Sequence, residues 1–349
     1  MLKIISIGVV LCFGFTVLGY SQGRPPARPD SGAPGRPLPS PKDGDADAES
    51  MEMRSSTSEL ASEDDASFTI SKQVDEVNLI LSVTDSKGRF VDNLTADDLN
   101  LLDNHKPPTK LNYFQARTNL PLSVILAIDV SSSVRDRLRF EQRAASVFLK
   151  HIMRKDTDEA AIIAFGSTVQ EKGTGMTNDA TVLDSTIRSL QAGGETAMYD
   201  AIVLAGRRLR STKRKAIVRP VIILITDGVD TASKASLRAA EEAATRSEAS
   251  IFALDANSIY ETDLKGRKVL DKLTHETGGL VLSARENSDL KDAFSTIEKI
   301  LRSQYAIGYA PSELEADGSF RSIDVHANKH GLMVHARNGY YAPHPVAQR

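Results

Sequence analysis

The sequence is poor in the residues that staple, stack or carry one sign of charge. Its 349 residues hold one cysteine, no tryptophan and 5% aromatics, with a net charge of −3. A single thiol, Cys12, cannot build a disulfide framework. So few aromatics leave no platform for stacking bases, and the charge balance gives no basic footprint for a phosphate backbone. Nucleic acid is therefore excluded as the expected partner. The phosphate-cradling pattern Gly-x-x-x-x-Gly-Lys-Ser/Thr is also missing. What remains is 41% apolar and 26% charged residues, a globular composition with room for about two domains.

The one long hydrophobic run is at the start. Lys3 followed by Ile4 to Tyr20 reads as a secretory signal peptide over residues 1–21, with Gly19 and Ser21 as small residues near the cleavage point. The alternative is an uncleaved anchor, for which the run is short. Cys12 lies inside this segment and follows Leu11 rather than a small residue, which argues against a lipid-attachment site. The expected location is secreted or periplasmic, with no membrane span after cleavage. Residues 22–67 are rich first in proline, then in acidic residues and serine, the composition of a disordered linker.

Residues 68–118 read as short strands: Val77 to Thr84, a turn at Asp85 to Gly88 with a return at Arg89 to Val91, then Leu99 to Leu102 and Lys110 to Phe114. Thr95 to Asp98 fits a capped helical turn. Residues 119–303 alternate strand and helix patterns, which argues for a doubly wound α/β fold with a mostly parallel sheet. Residues 304–343 return to strands, with Asn328 to Gly331 as an expected hairpin turn between Ser319–His326 and Leu332–Ala336. The expected architecture is an α/β domain inserted in a small β-sandwich built from both flanks, with a tail at 344–349.

Three signals in the α/β segment carry chemistry. Leu122-Ser-Val-Ile-Leu-Ala-Ile-Asp129-Val-Ser131-Ser-Ser133 is a strand buried on both faces that ends in an aspartate followed by spaced hydroxyls. On its own this pattern serves equally as a turn or helix cap. Val221 to Thr226 is a second such strand, ending in Asp227. Gly193-Gly-Glu-Thr196 places a threonine at a loop-to-helix junction. Ligands in open α/β sheets bind beyond the carboxyl ends of strands. Two carboxylates and three hydroxyls on that rim make a hard-oxygen set suited to Mg²⁺ or Mn²⁺, whereas zinc favours His or Cys.

These residues resemble the von Willebrand factor type A family, whose metal-ion-dependent adhesion site combines Asp-x-Ser-x-Ser with a distant Thr and a distant Asp. Asp129, Ser131 and Ser133 match the first element, Thr196 the second and Asp227 the third. The resemblance spans about Leu122 to Arg302. It implies a Rossmann-like sheet with one short antiparallel edge strand near Thr168 to Glu171, and a metal whose open position takes an Asp or Glu of a partner protein. It also implies that Thr196 contacts the ion directly or through water according to state, with a shift of the last helix. Lys87 to Val91, Gln304 to Tyr309, Asp317 to Arg321 and Gly339 to Pro343 are similar to the secreted, acidobacterial-type "VWFA-related" group.

The expected function is thus a Mg²⁺-dependent adhesion or scaffold module rather than an enzyme. One alternative is a structural module whose metal only stabilises the fold, with recognition by the β-sandwich. A metal-dependent hydrolase is the weaker third reading, because no histidine motif accompanies the serines. Asp200, Asp230 and Asp255 stand near the rim as candidate acceptors for the ligands. The basic run Arg207, Arg208, Arg210, Lys213, Arg214, Lys215 and Arg219 reads as a solvated helix end, and His326, His330 and His335 as polar hairpin residues.

Overall fold

A computed structural model describes residues 76–116, 120–211, 218–256, 264–284, 287–313 and 315–344. The signal-peptide segment, the linker, most of the tail, and Lys213, Arg214 and Lys215 lie outside them. Among the described residues no helix is long and apolar enough to cross a membrane.

In chain order, β1 (Val77–Asp85) is followed by a 3₁₀ turn at Ala96–Asp98, β2 (Leu99–Asp103) and β3 (Lys110–Ala116). The α/β part then runs β4 (Leu122–Asp129), α1 (Leu138–Ile152), β5 (Glu159–Phe165), β6 (Val169–Thr177), α2 (Ala180–Arg188) and α3 (Met198–Ser211). It continues through β7 (Arg219–Thr226), α4 (Leu237–Arg246), β8 (Ser250–Asp255), α5 (Leu264–Thr277), β9 (Val281–Ser283) and α6 (Asn287–Arg302). The chain closes with β10 (Tyr305–Ala310), β11 (Phe320–Ala327), β12 (Leu332–Ala336) and β13 (Gly339–Tyr341).

The central sheet has the order β6-β5-β4-β7-β8-β9. All its pairings are parallel except β5 with β6. The expected doubly wound α/β class holds. Every residue of β4 is buried, because helices cover both faces of the sheet. The pleat divides its side chains: Val124, Leu126 and Ile128 join Phe148, Leu149, Ile187 and Phe294 on one face. Ile125 and Ala127 join Met198, Ile202, Ala240 and Leu270 on the other. Phe148 stacks on Phe294 at 4.3 Å between centroids, which locks α1 to α6.

Two antiparallel sheets, β12-β1-β10-β3 and β13-β11-β2, unite the flanks. β1 pairs with β10 and β12, so strands from before and after the α/β part share one sheet. Three details differ from the sequence reading. The return after Gly88 shrinks to a single bridge, Thr84 to Phe90. β6 runs to nine residues rather than a short partner, since an edge strand can be polar and still pair. Most tellingly, β11 and β12 form no hairpin. β11 pairs with β2 and β13, while β12 pairs with β1 in the other sheet. The Asn328–Gly331 turn therefore carries the chain between sheets, and His335 meets Thr84 Oγ1 at 3.1 Å instead of a histidine neighbour on a hairpin.

The two sandwich sheets are tied across their interior by Tyr309 of β10, whose hydroxyl donates to Asp103 Oδ2 of β2 at 2.7 Å. Burial and this carboxylate hold the phenol well above its usual range. Tyr309→Phe removes the donor and leaves a buried carboxylate without it. It is expected to cost about 1–3 kcal/mol in urea unfolding, with no change in the m-value.

Candidate functional site

β4 and β7 are neighbours with Ile128 opposite Ile225, so Asp129 stands opposite Thr226 and Asp227 lies one residue beyond the end of β7. Asp129 is fully buried. Its Oδ1 accepts from Ser131 N at 2.8 Å and its Oδ2 from Thr226 Oγ1 at 2.9 Å. A carboxylate offers about four acceptor positions, so these bonds leave capacity for a cation. Asp227 is half-buried, and its Oδ1 accepts from Val229 N at 3.0 Å. Gly228 follows at φ +83°, where a side chain would be strained and would strike the Gly266 main chain.

The serines do not serve as caps. Ser131 precedes a 3₁₀ turn at Ser132–Val134, yet its hydroxyl makes no capping bond. The N-cap of α1 is Arg137, also without a side-chain capping bond. The Ser131 and Ser133 hydroxyls instead lie 2.9 Å apart. Ser131 is buried and Ser133 exposed, which gives a pair of oxygens leading from the sheet rim to solvent.

Thr196 is buried, just ahead of α3. Main-chain bonds lash its loop to the other two segments. Ser132 N donates to Gly194 O at 2.9 Å and Gly193 N to Val130 O at 2.7 Å. Thr231 N and Ala232 N donate to Thr196 O at 2.9 and 3.0 Å. Asp200 accepts from Lys234 N and Ala235 N, and Asp230 from Tyr199 N and Ser233 Oγ. These two aspartates shape the loop after Asp227, while Asp255 pairs with Arg267 at 3.3 Å. All five sequence-selected residues thus sit at the end of β4 or in the three loops joined beyond the carboxyl ends of the strands.

Burial pushes the Asp129 carboxyl up to about 6, and the charge of Asp227 adds to the rise against the Ser131 and Thr226 hydrogen bonds. A further acid shares this environment. Glu141, on α1, is 1% exposed, and neither of its carboxylate oxygens has a hydrogen bond. Burial lifts it to about 7, opposed by Arg137 and reinforced by Asp129 and Asp227. The sequence reading of α1 passes over it. Its spacing was the available signal: Glu141 is three residues after Leu138 and four before Ala145, squarely on the buried stripe.

Among the described residues no three His, Cys, Asp or Glu side chains converge closely enough to hold a metal by themselves. A cation here would need the hydroxyls. The donor chemistry suits one, since a buried carboxylate whose ionisation the charge of Asp227 makes costlier stands beside hydroxyls free of capping duty. Beside Gly194 a cavity of about 500 Å³ opens along the edge of β6, lined by Val130, Ser167, Gln170, Lys172, Leu190 and Gly193.

Residues 124–229 match the family model described as the von Willebrand factor type A domain. Over that stretch the chain is similar to a von Willebrand factor type A domain. The match covers β4 to the end of β7 and includes all five candidate residues. Among solved structures, the conserved hypothetical protein BatB from Bacteroides thetaiotaomicron is similar at 22% identity and a TM-score of 0.43, over 52% of this chain and all of that one. A von Willebrand factor type A protein from Catenulispora acidiphila is 14% identical, with a TM-score of 0.45, over 77% of this chain and 74% of that one. The pilus adhesin SpaC from Lactobacillus rhamnosus GG, in an open conformation, is 11% identical with a TM-score of 0.44, over 70% of this chain and 48% of that one. No curated protein matches the chain significantly.

Proposed function

We propose that this von Willebrand factor type A domain is a Mg²⁺-dependent protein-binding module that captures an Asp or Glu of a partner at an open position on the ion. The reading rests on one observation above others: the Ser131 and Ser133 hydroxyls pair with each other beside a buried Asp129, unused as caps. Asp129, Ser131, Ser133, Thr196 and Asp227 would hold the cation, with Mn²⁺ able to replace Mg²⁺. When bound, the ion supplies an electrophilic site for a partner's carboxylate. The chain's own residues would hold and orient it. The adjoining cavity, with Lys172 on its wall, gives room for residues flanking that carboxylate.

Two rival readings are less well supported. A cation serving only to hold the rim together has little left to do, because main-chain bonds already join the three loops. Hydrolysis would need a base beside the serine, and Ser131 has Ser133 as its hydroxyl partner. Secretion or a periplasmic location follows from the leader reading of residues 1–21 and belongs to the same proposal. A displayed peptide library selected on the chain in Mg²⁺ and eluted with EDTA tests it. Enrichment of one acidic residue whose change to its amide ends binding is the expected result. Enrichment indifferent to chelator, or to the acid-to-amide change, would sink the reading.

A further inference from the structure

Glu141 is the most anomalous side chain in the described structure. A carboxylate at 1% exposure without a hydrogen bond on either oxygen is costly, and an ion or water that completes it is one physical reason for such a group to persist. Its nearest cation does not remedy this. Arg137 Nε lies 3.8 Å from Glu141 Oε1, beyond hydrogen-bond range. The terminal nitrogens of Arg137 are engaged elsewhere, donating to the main-chain carbonyls of Ala256 and Ala284 just past β8 and β9. Arg137 is therefore pinned to the sheet rim and is not directed at Glu141. Glu141 also feels the charges of Asp129 and Asp227.

We propose that Glu141 is a positioning residue for the cation, accepting a hydrogen bond from a water ligand on the ion's buried side. This rests on the cation reading of the Asp129 site. The three carboxylates do not converge closely enough to ligate one ion together, so the link runs through water rather than through a direct bond. A third carboxylate acting through water would add an acceptor for the ion's ligands while the exposed Ser133 stays open to a partner. Mg²⁺ keeps several of its waters readily, which favours such an arrangement.

Calorimetric Mg²⁺ titration of the wild-type chain, Glu141→Gln and Glu141→Met, alongside thermal melts in EDTA, provides the test. Outer acceptors of metal-bound groups contribute roughly 10–100-fold to affinity, so both variants should bind Mg²⁺ that much more weakly. In EDTA both should melt higher than wild type, because a buried carboxylate that lacks a hydrogen bond on either oxygen has gone. Weaker binding together with a more stable metal-free fold is a combination that a merely structural residue does not produce. Unchanged Mg²⁺ affinity in Glu141→Gln and Glu141→Met, with wild type binding, would overturn the role of Glu141 alone. Absence of binding by wild type would overturn the cation reading, and this role with it.

Discussion

Asp129→Ala should lower Mg²⁺ affinity by roughly 100-fold or more, at least the loss seen when an outer partner of a metal site is removed. The metal-free protein should nonetheless stay folded. Truncation strands the Ser131 amide and the Thr226 hydroxyl, which now meet Asp129 at 2.8 and 2.9 Å, a cost of about 1–3 kcal/mol for each group left unpaired. Against this, it removes a fully buried carboxylate that Asp227 repels. The two effects oppose each other, so the melting temperature in EDTA should move little. The difference emerges on adding metal. At 100 times its dissociation constant, a ligand that binds only the folded state stabilises it by about 2.7 kcal/mol. Wild type should show that rise in Mg²⁺ and Asp129→Ala should not. Asp227→Ala should behave alike, since Asp227 sits at the end of the neighbouring strand. If either variant retained wild-type Mg²⁺ affinity by calorimetry, the assignment of these carboxylates would be wrong.

How legible this was from the sequence depended on whether the information is local. β4 and β7 announce themselves, because a strand covered on both faces must be apolar at every position, and the carboxylate ending each run then stands out. The pairing of the Ser131, Thr196 and Asp227 loops could be anticipated because parallel strands bring their carboxyl ends to one edge. β11 and β12 were not legible in the same way. The Asn328–Gly331 turn has hairpin chemistry, but which sheet a strand joins is decided by burial against β1, far earlier in the chain. Glu141 was hidden for the opposite reason. A helix face is read from its apolar residues, and an acid lying on that stripe is noticed only once its burial is known. Glu141, buried without a hydrogen bond, is the group that our proposal adds to the candidate site.

That contradiction has a consequence in pH. In EDTA the folded chain should lose stability as pH rises from about 4 to about 7. Asp129 moves from 3.8 in the unfolded chain to about 6, and Glu141 from 4.5 to about 7. Both are raised, so between those values the folded state binds more protons than the unfolded state, and stability falls with increasing pH. The contribution is fully present below the unfolded values and is lost once pH has passed the folded ones. A tenfold change in proton affinity corresponds to about 1.4 kcal/mol, so the two groups together are worth on the order of a few kcal/mol. Carboxylates held low act in another window. Asp158, buried against Arg154, and Asp184, held at about 2 by Arg188, lose their contribution only as pH drops below about 4. The metal-free protein should therefore be most stable near pH 4–5. Saturating Mg²⁺ favours the ionised carboxylates, so its added stabilisation should grow across the same interval and flatten or reverse the slope. Urea midpoints at half-unit steps of pH, with EDTA and with Mg²⁺, measure both curves. A metal-free curve that stays level or climbs from pH 4.5 to 7.5 would mean that Asp129 and Glu141 are not the repelling buried pair described above. Glu141→Gln in the same series separates the two acids. With that side chain uncharged, the fall should end nearer pH 6, where only Asp129 still releases its proton.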